Sequence, residues 1–163
     1  MIYFKKIEFP YPGKEQTEIA LRKFAVKRTS SLDNISSSAV AGTDKIFVGF
    51  EKANDVQFAR IRYLIEGYLP KVIISIPKDK GDDSLKFRLS LISTLVFLGL
   101  SGLVLLSLFL VIAANNDDAL EVISFFGFIY LIYLFLIFLE IRITQKGIKK
   151  AIRKFEESKN APL

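Results

Sequence analysis

Residues 89–116 read LSLISTLVFLGLSGLVLLSLFLVIAANN, and residues 122–139 read VISFFGFIYLIYLFLIFL. The first stretch is 28 consecutive residues without a charge and the second is 18. As a helix, Leu89 to about Ala114 rises about 39 Å, more than the ~30 Å of a hydrocarbon core. Val122 to Ile141 is about 20 residues, just enough to cross. Two nearly uniform apolar cylinders cannot be hidden inside a soluble domain of 163 residues. The sequence therefore predicts a transmembrane helical hairpin over residues 89–141, with spans at about 89–114 and 122–141. Its turn, Asn115 to Glu121, is polar or acidic except at Ala119 and Leu120. There Asp117 or Asp118 is placed to cap the second helix.

Charge divides the chain around this hairpin. Residues 1–88 carry 16 bases and 11 acids, residues 89–141 no base and four acids, and residues 142–163 seven bases and two acids. Lys78, Lys80, Lys86 and Arg88 precede the first span, and Arg142, Lys146, Lys149 and Lys150 follow the second. The positive-inside rule then places both termini in the cytoplasm and the acidic turn outside. The opening residues lack the apolar h-region and small-x-small site of a secretory signal.

Composition excludes much chemistry. With no Cys and no His, the chain offers no thiolate, no disulfide and no imidazole base or metal ligand. No phosphate-binding glycine loop, dinucleotide fingerprint or calcium loop is present. The sequence therefore points to no catalytic residue, no metal site and no cofactor.

Within the first span, Ser90, Thr94 and Ser101 fall roughly on one side, with Gly99 and Gly102 close to it. Small residues allow close helix approach, so this side is expected to pack against the second span. That span is aromatic. Tyr130 and Tyr133 are expected to face the first helix, their hydroxyls reaching Ser101 or Thr94. Glu140 lies at the cytoplasmic end of its span, and Arg88, at the matching end of the other, is the expected partner. Interfacial exposure and a proton or ion role for Glu140 are the alternatives. Beyond the hairpin, residues 142–163 form a basic amphipathic helix and tail. Ile148, Ile152 and Phe155 repeat at helical spacing, among Lys146, Lys149, Lys150, Arg153 and Lys154. Such a helix can contact anionic lipid headgroups or pack onto the N-terminal domain. Nucleic acid is not expected as a partner.

Residues 1–88 suffice for a small α+β domain. A first strand stops at Pro10-Tyr-Pro-Gly13. A helix follows over Glu15 to about Lys27, and Ser30 to Ser38 reads as a loop or exposed edge. Ile46–Phe50 and Lys71–Ile76 are strands, and Ser84–Leu89 reads as a last strand entering the span. Val56 to Tyr68 fits either a helix, giving a ferredoxin-like order, or a strand, giving one helix plus an antiparallel sheet. Arg60 and Arg62 share a side if the segment is extended, and could contact an anion.

The matches Ile46-Phe-Val-Gly49, Phe58-Ala-Arg-Ile-Arg-Tyr63, Gly67-Tyr-Leu-Pro70 and Phe87-Arg-Leu89 resemble, in order, those of a family of small two-span bacterial membrane proteins. That family has a short α+β cytoplasmic domain before the spans and no established activity. Glu66-Gly67-Tyr68 departs from its Asn-Ser-Phe pattern, so no role of that Asn carries over. The resemblance implies the sheet option and an inner-membrane location. The expected function is a non-enzymatic scaffold or accessory subunit of an inner-membrane complex, in contact with lipid and with a protein partner or further copies of itself. The alternative is a ligand-responsive effector that oligomerises and perturbs the bilayer.

Overall fold

A computed structural model of the chain describes residues 3–11, 13–33, 44–79, 81–82, 84–114 and 118–160. The elements are β1 (Tyr3–Glu8), α1 (Lys14–Lys23), β2 (Ala25–Arg28), β3 (Phe47–Glu51), β4 (Asp55–Arg60), a 3-10 helix (Leu64–Tyr68), β5 (Val72–Pro77), β6 (Ser84–Leu89), α2 (Leu91–Ala114) and α3 (Asp118–Asn160). The expected turn residues 115–117 and the loop residues 34–38 lie outside the described residues.

The six strands form one sheet in the order β1-β6-β5-β4-β3-β2. Every neighbouring pair is antiparallel except β2 and β3, which run parallel. The expected purely antiparallel sheet is thus corrected to a larger, mixed one. The helix expected to reach Lys27 ends at Lys23, where the Phe24 N–H bonds back to the Ala20 carbonyl. The next four residues become a strand because β3 offers them an open edge, with Val26 opposite Val48. The ferredoxin-like alternative is also corrected. Residues 55–60 are strand, and only Leu64–Tyr68 turns, as a 3-10 helix rather than a crossover helix. Gly13 precedes α1 with φ of 109°, a conformation that favours glycine.

One face of the sheet carries Phe47, Phe58, Ile74, Ile76, Leu85 and Phe87, packed under Ala20 and Leu21 of α1 and Ile141, Ile148 and Ile152 of α3. The opposite face buries Val48, Ala59, Ile61 and Ile73 beneath Leu32. The alternation of β4 and β5 supplies both faces, as strand geometry requires.

α3 is 43 residues of unbroken helix, about 64 Å at 1.5 Å per residue. It passes the expected boundary at Ile141 and Arg142 without interruption. Its stripe of Ile137, Ile141, Ile148, Ala151 and Ile152 is buried on the domain, at the i, i+4, i+11, i+14, i+15 spacing of one helix face. Gly147 lies on this contact. A Cβ there would stand 3.3 Å from the Phe47 ring, so the glycine permits α3 to seat closely on β3. Arg142, Lys146, Lys149, Lys150 and Arg153 are exposed. Lys154 stands over the Phe24 ring at 6.0 Å.

α2 and α3 are both long and apolar enough to cross a membrane, with only 6% of each apolar window buried.

Candidate functional site

The most concentrated chemistry lies where the sheet meets the two long helices. Val56 and Phe58 of β4 face α3, and the two-residue period carries Arg60 to the same face. On α3, Glu140 sits in the buried stripe between Ile137 and Ile141, and is 1% exposed. The two meet as a side-on ion pair. Arg60 Nη2 donates to Glu140 Oε2 at 2.8 Å and Nε donates to Oε1 at 3.4 Å. Arg60 Nη1 donates to Glu66 Oε2, in the 3-10 helix, at 2.6 Å. A single guanidinium therefore ties strand, long helix and connecting loop together, using the planar fork that makes arginine suited to paired carboxylates.

Burial works against the Arg60 charge, but hydrogen bonds and Coulombic attraction from Glu140 and Glu66 hold its pKa above the ordinary value. Burial likewise opposes the Glu66 charge. The bond from Arg60 and the Tyr63 N–H outweigh it and lower that carboxyl. Arg62 is lowered, first by burial and then by repulsion from Arg60. Its Nη1 donates to the Leu69 carbonyl, closing the loop on itself.

A second polar network lies on the opposite face. Arg88 alternates out of the Leu85, Phe87, Leu89 row. It donates from Nη1 to Asp33 Oδ1 at 2.8 Å and from Nη2 to Oδ2 at 2.9 Å. Gln57 accepts a third bond at 3.2 Å. The same Asp33 carboxylate accepts the Leu91 N–H at 3.0 Å, placing negative charge on the first turn of α2. Burial raises the Asp33 pKa, yet the Arg88 and Leu91 bonds lower it more.

The start of α2 is also stitched to β5. Ser90 N donates to the Lys71 carbonyl at 2.8 Å, and Lys71 N donates to Ser93 Oγ at 2.8 Å. Ser90 Oγ accepts from Ser93 N. Lys71 Nζ reaches the Leu32 carbonyl. Burial, then the Arg62 charge, pulls the Lys71 pKa down to about 8.

These partners revise the expected Arg88–Glu140 pair. Each residue is ionically paired, but with another partner, because Arg88 and Glu140 lie against opposite faces of the sheet. Arg60 and Arg62 do come together in one cluster. Arg60, however, is committed to carboxylates of this chain rather than presented to an external anion.

Between the long helices, Tyr133 donates to the Ser93 carbonyl at 2.9 Å, one position from the expected Thr94. Tyr130 packs on Phe97 with ring centroids 5.8 Å apart. Thr94 and Ser101 bond back to carbonyls of their own helix. Gly99 and Gly102 are exposed with nothing within 4 Å of an added Cβ. The expected packing of these two glycines against the second span is therefore corrected. The helical twist turns them away from α3.

Asp33, Glu66, Lys71 and Ser93 belong to these networks, and sequence reasoning does not single them out. Periodicity holds part of the answer. Glu140 shares the spacing of the apolar stripe of α3, and Arg60 shares the parity of Val56 and Phe58. Among the described residues, no group of three His, Cys, Asp or Glu side chains is placed to hold a metal ion. No protein-family model, curated protein or solved structure matches this chain.

Proposed function

We propose that the chain is an integral membrane protein of a bacterial inner membrane, with two spans and both termini cytoplasmic. In this reading it is a non-enzymatic scaffold or accessory subunit that holds its sheet domain at the membrane surface for a larger assembly. One observation carries the proposal. The lateral surfaces of α2 and α3 are apolar and open, with Phe109, Ile112, Phe125, Phe128 and Leu131 all more than 60% exposed. Side by side they form an apolar surface far larger than the few hundred Å² that a water-soluble monomer presents. Hydrocarbon covers such a surface without cost. The paired charges at the root of the helices suit a structural role: they lock the domain to the spans. The effector alternative would need Arg60 for an external anion, and that guanidinium is held by Glu140 and Glu66, which favours the scaffold reading.

The test is native mass spectrometry of the protein extracted from its own membrane in polymer-bounded lipid discs. The expected result is an assembly of defined stoichiometry, heavier than the 18.5 kDa chain. A free monomer throughout would overturn the scaffold role. Release of the protein from membranes by alkaline carbonate would overturn the membrane assignment itself.

A further inference from the structure

The loop between β4 and β5 carries two exposed aromatic side chains. Tyr63 is 52% exposed and Tyr68 is 89% exposed. The position of the loop is fixed from two directions. At its exit, Lys71 exchanges hydrogen bonds with Ser90, just before α2, and Ser93, in its first turn. At its centre, Glu66 shares Arg60 with Glu140 of α3. The loop therefore sits at the root of both long helices. Tyr68 is three residues from Lys71, a reach of at most about 10 Å, and Leu91 and Ile92, which follow Ser90 in the chain, are exposed.

The loop is also chemically prepared for a half-wet site. Its one acid, Glu66, is neutralised by Arg60, and the Leu69 carbonyl is taken by Arg62. Tyr63 and Tyr68 are exposed on it, and tyrosine is the side chain enriched where acyl chains meet headgroups. On the other flank, the Phe4 ring meets the edge of Phe97, seven residues into α2, with centroids 5.5 Å apart. One flank of this end of the domain thus reaches the apolar part of α2 through Phe4, and the other meets the start of α2 through Lys71.

We propose that the Tyr63–Leu69 loop is a lipid-binding foot, seated in the headgroup and carbonyl layer of the bilayer, with the start of β1 at the same end of the sheet on its other flank. The inference rests on the membrane reading above and adds to it. The domain does not hang from its spans in water but is partly immersed at one end. The occupant is phospholipid, because the loop ends at Lys71, whose backbone is bonded to Ser90 and Ser93 at the start of α2, where Leu91 and Ile92 open the exposed apolar surface of that helix.

The chain contains no Trp, so single-Trp variants report depth without background. Tyr63→Trp and Tyr68→Trp test the foot. Phe128→Trp marks the middle of a span. Tyr11→Trp is the distal control. It is equally exposed, at 89%, and follows the end of β1 remote from Arg88, about 20 Å along the strand. Each full-length variant is reconstituted in phosphatidylcholine–phosphatidylglycerol vesicles brominated near either the carbonyl or the methyl end of the acyl chain. Circular dichroism of each confirms the fold.

The expected result is a loss of emission at positions 63 and 68 that is greater with carbonyl-end bromines. Position 128 should be quenched more by methyl-end bromines, and position 11 by neither. If position 128 is quenched while 63 and 68 behave like 11, the foot is overturned and the membrane reading stands. If position 128 is not quenched, the membrane reading fails and the foot with it. Blue-shifted but unquenched emission from the Tyr68→Trp variant would show protein rather than lipid over the loop, which also overturns the proposal.

Discussion

Arg60 is 7% exposed and Glu140 is 1% exposed, and at that depth an ion pair is a liability as well as a bond. Desolvating two charges costs several kcal/mol each, returned only while both partners are present. Arg60→Leu strands Glu140 and is expected to cost about 3–5 kcal/mol. Glu140→Leu costs less, because Glu66 still holds the guanidinium. The double variant Arg60→Leu/Glu140→Leu, with neither charge of the pair left, should recover to within about 1–2 kcal/mol of the native chain. Chemical unfolding in detergent, followed by circular dichroism, measures this cycle. Simple addition of the two single losses would show that the residues do not act as a pair.

Lys71 supplies a pH signature at the same scale. Its pKa near 8 lies below the ordinary lysine value of about 10.4. Between those limits the unfolded chain binds more protons than the native one, so stability rises with pH through this window. Below pH 8 the cost of burying the charged amine is present in full. The same unfolding measurement at pH 7.5 and pH 10 should show the native chain gaining stability relative to Lys71→Met, by at most about 1.4 kcal/mol per pH unit. An identical pH dependence in both proteins would refute the assignment.

At the scale of elements, legibility follows the strength of the local pattern. α2 and the apolar part of α3 are plain because long uncharged runs have few alternative structures. β3 and β5 are legible from β-branched and aromatic runs bounded by turn residues. β2 is not. Ala25-Val-Lys-Arg28 is too short to alternate convincingly, and it is a strand only because β3 pairs with it. The continuity of α3 is less plain, because the apolar run ends at Ile141 and the basic segment begins at Arg142, and the role of Gly147 as a contact point with Phe47 leaves no local trace. The junction is half legible. Its charged residues stand out, whereas choosing Arg60 over Arg88 for Glu140 requires the sheet faces. The alternation Leu85-Lys-Phe-Arg-Leu89 already sets Arg88 against its apolar neighbours. Asp33, 55 residues before Arg88, leaves no local trace of its role, since sequence separation carries no information about that contact.

At the scale of the whole molecule, α3 decides how the parts relate. Were the chain a hairpin followed by an independent amphipathic helix, the domain could swing about residues near Ile141. Instead one helix serves both as the second long apolar helix and as a cover of the sheet, with Glu140 pinned by Arg60 at the crossing point. Rotation or tilt of its apolar half must therefore be transmitted to the sheet, and a partner gripping the domain would feel it. The chain contains no Cys, so spin labels at Val122→Cys and Glu157→Cys attach without background. A continuous helix separates these positions by about 52 Å, whereas a right-angle break at Gly147 would bring them to about 40 Å. Pulsed dipolar spectroscopy in lipid discs is expected to give a single narrow distribution at the longer distance. A broad distribution, or one centred near the shorter distance, would separate the basic segment from the rod and uncouple the domain from the apolar half of α3.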